Sequence, residues 1–449
     1  MTDTAHESSE LYFGTGQFFQ KSNYAPVTKE LTAFDLTVEG TIPAELDGWY
    51  LRNGPNPRQA TEHWFMGDGM IHGMRIENGR AAWYRNRWVR TESFEKYFPL
   101  YNADGTRNLR SSQANTNIIN HGGKTLALFE LSLPHEMTND LETVGAYDFN
   151  GKLANSMTAH PKICGTTGEL HFFGYGNLFE PHVTYFRADA NGELVIQRPI
   201  DVKKLTQMHD FALSAQHVIF MDLPIVYNRD IALKSATDIP YRWDDNYGAR
   251  LGVLRRDDPY GQVRWFEIDP CFVFHVANAY DDGDKLVLQA VRYPEVWRDQ
   301  GGFESNGVMW SWTIDLASGR VSERELDDRP VEFPRIDDRL TGLSSRYAVL
   351  AGTKQLIRYD LETGSTQEHT FGTAASPSRP GEAVFVPSAN GPADEQNGWY
   401  LGYVYDPVRN GSDLVIIDPS DFSGKPVAKI QLPQRVPFGF HGNWIPAAD

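Results

Sequence analysis

Four histidines stand in alike surroundings: His160 in "MTAHPK", His209 in "QMHDFAL", His275 in "CFVFHVANAY" and His441 in "PFGFHGNW". Each has apolar neighbours on or beside a run that reads as a strand. A neutral imidazole can give one ring nitrogen to a metal while the other donates a hydrogen bond. Singly, such histidines are ordinarily hydrogen-bonded core residues. Together they are spaced 49, 66 and 166 residues apart, which approaches one, one and two or three repeats of a strand-rich unit. Four nitrogen ligands suit iron(II), which accepts six ligands and would keep two positions open. His160 precedes Pro161, so its backbone is held extended rather than helical.

Other chemistries lack their residues. There is no G-x-S-x-G, and "HEMTN" at His135 lacks the second histidine of a zinc-protease helix. "GDGMIHG" puts His72 where a dinucleotide loop needs its third glycine. No histidine is followed two places later by Asp or Glu, as a two-histidine, one-carboxylate iron site often requires. His209 and Asp210 are neighbours, and on a strand they point to opposite faces.

The elements that position these residues are strands. Short alternating runs such as "HVTYFRADANGELVIQRPI", "VMWSWTIDLASGRVSEREL" and "QLIRYDLETGSTQEHTF" contain strand, Asp/Asn-Gly-type turn and strand. Repeated hairpins over 449 residues predict an all-β, seven-bladed β-propeller. Seven blades give about 64 residues each, above the roughly 40–50 of compact propeller repeats, so the excess should form a loop and helix cap over one face. Residues 94–113 and 227–250 are the expected lid segments. No Pro-, Gly- or Ser-rich linker supports two β-sandwiches instead. Residues 1–34 are expected to be a partly ordered extension, and 35–449 a single propeller domain. Histidines at whole-blade spacing would converge on the axis.

The formal charge is −17, from 42 basic and 59 acidic residues, which argues against nucleic acid and anionic surfaces as partners. Two cysteines, Cys164 and Cys271, exclude a disulfide framework and suit a cytoplasmic protein. The first residues lack a basic stretch followed by an apolar one, so no signal peptide is expected. No apolar run approaches a membrane span, although an apolar patch could touch a membrane transiently.

The motifs resemble the carotenoid cleavage oxygenase family from about residue 35 to the C-terminus. "FDLTVEGTIPAELDGWYLRNGPNPR" resembles its N-terminal signature, and "HWFMGDGMIHGMRI" follows as it should. The resemblance implies a propeller with Fe(II) on its axis, held by His160, His209, His275 and His441. It implies that Glu130 in "LALFELSLP", Glu332 in "VEFPRID" and Glu382 in "GEAVFVP" hydrogen-bond ligand histidines. Thr116 would stand near the open positions and restrict oxygen or water there. The implied activity is an Fe(II)-dependent dioxygenase that splits a carbon–carbon double bond of a carotenoid or apocarotenoid into two carbonyl products. An apolar alkene and O₂ would be its partners. Stilbene- and phenylpropene-cleaving relatives are the alternative, but stilbene cleavers carry a lysine where this chain has Phe129. A propeller that binds an apolar ligand without catalysis is the reading from another class. Of the remaining histidines, His72 and His121 are the ones to watch.

Overall fold

A computed structural model describes residues 18–59, 61, 63–234, 239–298, 303–390 and 393–447. Seven antiparallel sheets of four or more strands follow one another around an axis. Blade 2 spans Asn117–Ala146, blade 3 Lys162–Ile200, blade 4 Ala212–Ile268, blade 5 Phe272–Glu325 and blade 6 Glu332–Thr370. Each runs from an inner strand outwards through hairpins. Blade 7 carries Val384–Pro387 innermost and is extended outwards by Val38–Gly40, which pairs with Ala428–Gln431.

Blade 1 joins both ends of the chain. Gly442–Pro446 pairs with Gly48–Pro55, so the last strand is its inner one and closes the ring. Leu31–Ala33 pairs with Asn86–Tyr84 at its outer edge, so the chain enters the blade before residue 35. Further upstream, Phe19 and Tyr24 are buried, and the Tyr24 ring packs at 5.1 Å on Phe438. The first 17 residues of the expected extension lie outside the described residues.

Burial follows from this stacking. Middle strands are covered on both faces by neighbouring blades, so Leu170–Tyr175 and His217–Asp222 are buried at every position. Outer strands have one wet face, and Leu194–Ile200 alternates intermediate and exposed until its last residue. The large cores therefore lie between blades, where Phe172 of blade 3 stacks at 5.4 Å on Phe149, just past the last strand of blade 2.

Two long segments leave this frame. Between blades 1 and 2 runs the expected lid 94–113, begun by the short helix Glu92–Glu95. Inside blade 4, residues 223–234 and 239–248 carry the hairpin Ile225–Tyr227/Tyr241–Trp243 and the short helix Arg229–Lys234. The two segments meet where the rings of Tyr101 and Tyr227 lie 6.1 Å apart. Among the described residues no helix is long and apolar enough to cross a membrane.

Candidate metal centre

Every blade contributes one of the seven predicted histidines and glutamates to the axis. His160, His209 and His275 come from blades 3, 4 and 5, and His441 from blade 1, so the 166-residue interval spans three steps around the ring. Glu130, Glu332 and Glu382 come from blades 2, 6 and 7. His160, His209 and His441 stand one to three residues before an inner strand. His275 lies within its strand, whose register shifts between Val273 and Val276. Such a bulge re-aims a side chain, and it turns His275 towards the others.

The ring nitrogens converge. His160 Nε2 lies 3.0 Å from His209 Nε2, and His441 Nε2 lies 3.1 Å from His275 Nε2. His160, His275 and His441 each place a ring nitrogen within 4.8 Å of the other two. His209 completes the cluster through its contact with His160. All seven residues are buried or nearly so: Glu332 and Glu382 are 2% exposed, His160 and His441 5%.

Three carboxylates set three tautomers. Nδ1 of His209 bonds Glu130 at 2.9 Å, Nδ1 of His275 bonds Glu332 at 2.5 Å, and Nδ1 of His441 bonds Glu382 at 2.9 Å. A carboxylate accepts, so each Nδ1 carries the proton and each Nε2 turns a bare lone pair inwards. Among the described residues, no carboxylate bonds the ring of His160. The glutamates are themselves fixed. Gln207 Nε2 donates to Glu130 at 3.3 Å, Tyr293 Oη to Glu332 at 2.9 Å, and Gly442 N–H to Glu382 at 2.8 Å, with Arg335 3.3 Å from Glu382.

Lone pairs facing one another at 3.1 Å repel unless a cation lies among them. That is the fit to a metal ion, and the charges agree with it. Burial opposes ionisation of Glu382, yet Arg335 and His441 bring it down to about 2. Burial likewise opposes charge on Glu332, and His275 outweighs it, leaving the carboxyl below its ordinary value. Burial, then the neighbouring imidazoles, hold His160 well below the usual histidine range, and burial brings His441 down to about 4. At His275 burial is outweighed by Glu332, which raises the ring's affinity for a proton. The cluster thus draws positive charge towards His275 while the rings of His160 and His441 stay neutral. Bare imidazole nitrogens, with carboxylates outside them, suit a divalent transition metal such as iron(II).

On the cap side the histidines open into a cavity walled by Trp64, Phe65, Phe274, Phe303, Phe333 and Phe440, together with Thr116 and Phe129. Thr116 donates its hydroxyl proton to Asn115 Oδ1 at 2.9 Å. Phe129 is 6% exposed and adjoins Glu130. Below the histidines lies a second, polar cavity of about 330 Å³ along the axis, lined by Lys162, Asp210, Asn278, Arg335, Asp338 and Asn443.

Several site residues were not visible in the sequence. Phe333 lies against His275 with ring centroids 5.3 Å apart, and its φ of 55° is a left-handed conformation unusual for a bulky residue. Only the Phe-His pairs of "FVFH" and "FGFH" hinted at an aromatic wall. Gly439 is needed for close approach: a Cβ there would stand 2.9 Å from Gly54 Cα, displacing the segment that carries His441. His72 and His121 are elsewhere, bonded to Tyr84 Oη at 2.7 Å and to Gly168 O at 2.9 Å.

Residues 24–446 match the family described as RPE65, retinal pigment epithelial membrane protein. A carotenoid cleavage oxygenase of Mycobacterium tuberculosis is 36% identical, over 94% of this chain and 96% of that protein. A carotenoid 9,10(9′,10′)-cleavage dioxygenase of Pisum sativum is 34% identical, over 94% and 89%. Among solved structures, cobalt-substituted Synechocystis ACO superposes with a TM-score of 0.84 at 25% identity, covering 96% of this chain and 99% of that one. A lignostilbene dioxygenase of Pseudomonas brassicacearum gives the same TM-score at 26% identity, with 96% and 99% coverage.

Proposed function

The chain belongs to the RPE65/carotenoid cleavage oxygenase family, and from that premise and its carboxylate-held histidines we infer that it splits a carbon–carbon double bond of a carotenoid or apocarotenoid. It is an alkene-cleaving dioxygenase. The observation that carries the metal assignment is the lone-pair contact at 3.1 Å between His441 and His275, whose outer nitrogens are both bonded to glutamates, beside the 3.0 Å approach of His160 to His209.

His160, His209, His275 and His441 would hold iron(II), which when bound supplies the electron-transfer chemistry that lets O₂ react with a closed-shell alkene. The protein does the rest by position. Glu130, Glu332 and Glu382 hold their histidines in one tautomer and orientation. The aromatic wall receives an apolar chain and excludes water, and Thr116 narrows the approach to the histidines. One C=C and one O–O bond break and two C=O bonds form, so the alkene and one O₂ balance without a reductant. No acid, base or covalent nucleophile is required of the side chains.

Phe129 supports isoprenoid substrates over hydroxystilbenes. A buried phenol needs a polar partner, and Phe129 offers none. Tyr97 is 69% exposed, which removes it as a partner inside the cavity. The cap supports transient membrane contact, because Tyr97, Phe179 and Leu233 are 69%, 69% and 74% exposed on or against its segments. The two free, buried cysteines fit a cytoplasmic location.

The test is aerobic incubation of iron-reconstituted protein with carotenoids, apocarotenals and hydroxystilbenes under ¹⁸O₂, read by mass spectrometry. Paired carbonyl products from a polyene, dependent on iron, are expected. Iron-dependent cleavage of the hydroxystilbene alone would overturn the substrate, and binding without cleavage of any member would overturn the activity.

A further inference from the structure

His160 differs from its three partners in having no carboxylate on its ring among the described residues, so its position has to be set by other means. The explanation lies on the polar side of the axis. Asp210, one residue after His209, turns its side chain into the cavity that Lys162 also lines. Its side chain is 2% exposed, and both oxygens are engaged. Oδ1 accepts from the N–H of Phe211 at 2.7 Å and lies 2.8 Å from Nζ of Lys162, two residues after His160. Oδ2 accepts from the N–H of Val276, the residue after His275, at 2.8 Å.

One carboxylate therefore ties together the three neighbouring blades that carry His160, His209 and His275. The bulge that turns His275 inwards is the same irregularity beside which Val276 directs its N–H to Asp210. On the His160 side, Pro161 lies between the histidine and Lys162. Its ring restricts the backbone torsion there, so little slack separates the ammonium from the imidazole. Lys162 side-chain exposure is 18%, so the pair is only lightly screened.

We propose that Asp210, acting through Lys162 and the N–H of Val276, is the positioning residue of the metal centre, and that it fixes the place of His160, which has no glutamate on its ring. This rests on the metal reading above. The carboxylate touches neither substrate nor metal. It sets the separation of three ligand-bearing strands from beneath.

The test uses the full chain with cobalt(II) as probe. Affinity is measured by competition with a chelator, and the visible ligand-field spectrum reports the geometry around the ion. Asp210→Asn keeps the shape but presents an amide N–H₂ to either the ammonium or the Val276 N–H. Lys162→Met keeps the stem and loses the charge. Both should weaken cobalt binding on the order of tenfold, as loss of groups behind metal ligands does, and should shift the spectrum. Lys124→Met breaks a pair with Glu136 in blade 2 and should change neither. In a His160→Ala background, Lys162→Met should add no further loss, because it acts through that ring. Wild-type affinity and spectrum in folded Lys162→Met or Asp210→Asn would overturn the proposal, leaving the pair as a neutralised buried charge. If Asp210→Asn does not fold, Lys162→Met alone decides. Should His275→Ala and His441→Ala bind cobalt as the wild type does, the metal reading itself would fall, and the proposal with it.

Discussion

Replacing Glu382 by glutamine changes two atoms' chemistry and almost no volume. The carboxylate serves His441 Nδ1–H with one oxygen, and Gly442 N–H and Arg335 with the other. An amide has one oxygen. If that oxygen stays on His441, the amide N–H₂ meets the Gly442 N–H and the guanidinium, leaving a buried donor unpaired at a cost of about 1–3 kcal/mol. If the amide turns over, its N–H₂ faces Nδ1, and the imidazole proton must move to Nε2. That nitrogen then has no lone pair to give. Since about 1.4 kcal/mol is tenfold, the first arrangement alone predicts a weakening of roughly 5- to 150-fold in iron affinity if the strain is relieved by releasing the strand. The second predicts loss of a ligand. The expected result is an iron affinity weaker by roughly fivefold or more by chelator competition, with cleavage rate following occupancy. Glu136→Gln, on the outer part of blade 2, should leave both unchanged. A folded Glu382→Gln protein with affinity within twofold of wild type would refute the reasoning, because no amide orientation satisfies all three partners.

Each of His160→Ala, His209→Ala, His275→Ala and His441→Ala should fold and lose most bound iron by elemental analysis, whereas His182→Ala, whose ring bonds the Asn177 carbonyl at 3.1 Å away from the axis, should keep it. Stability should fall with acid through His72: burial, then Arg52 and Arg435, bring it to about 3, so between that value and about 6.5 the unfolded chain binds a proton that the folded one refuses. The contribution is fully present above about pH 6.5 and lost on the way down, about 3 kcal/mol by pH 4.5, and His72→Gln should flatten that slope in denaturant titrations. Phe129→Lys should reduce the preference for an apocarotenal over a hydroxystilbene of matched solubility, and a lysine variant with unchanged relative rates would separate Phe129 from substrate choice.

What could be read from the sequence was whatever depends on local context. Strand alternation and turn residues revealed the hairpins, and the four histidines stood out because each sits among apolar residues on or beside an inner strand. Closure of the ring was not legible. Gly48 pairs with Pro446 across nearly the whole chain, and no local pattern specifies that partner. Leu31–Ala33 looked like part of an extension because an edge strand of three residues carries too little alternation to register. Arg335 and Tyr293 meet their glutamates only through space. Asp210 was legible as facing away from the axis cluster, and that orientation is what lets it reach Lys162 and Val276.

The division of polarity along the axis follows from the same alternation. Phe274 and His275, Glu332 and Phe333, and Phe440 and His441 are sequence neighbours, so an inward histidine or glutamate brings an aromatic ring to the adjoining wall. On the cap side these rings leave a cavity in which a polyene loses no hydrogen bonds on entry. On the other side lie the ionic groups, including Lys162, Asp210, Arg335 and Asp338. Three buried carboxylates then face four imidazoles, and Arg335, the cation beside Glu382, is shared with Asp338 at 2.8 Å. An excess of negative charge so far from water is stable only with a compensating cation. The raised proton affinity of His275 expresses that demand. A divalent ion among the four Nε2 atoms would meet it without protonating a ligand, and would place its charge at the boundary between the apolar cavity and the polar one.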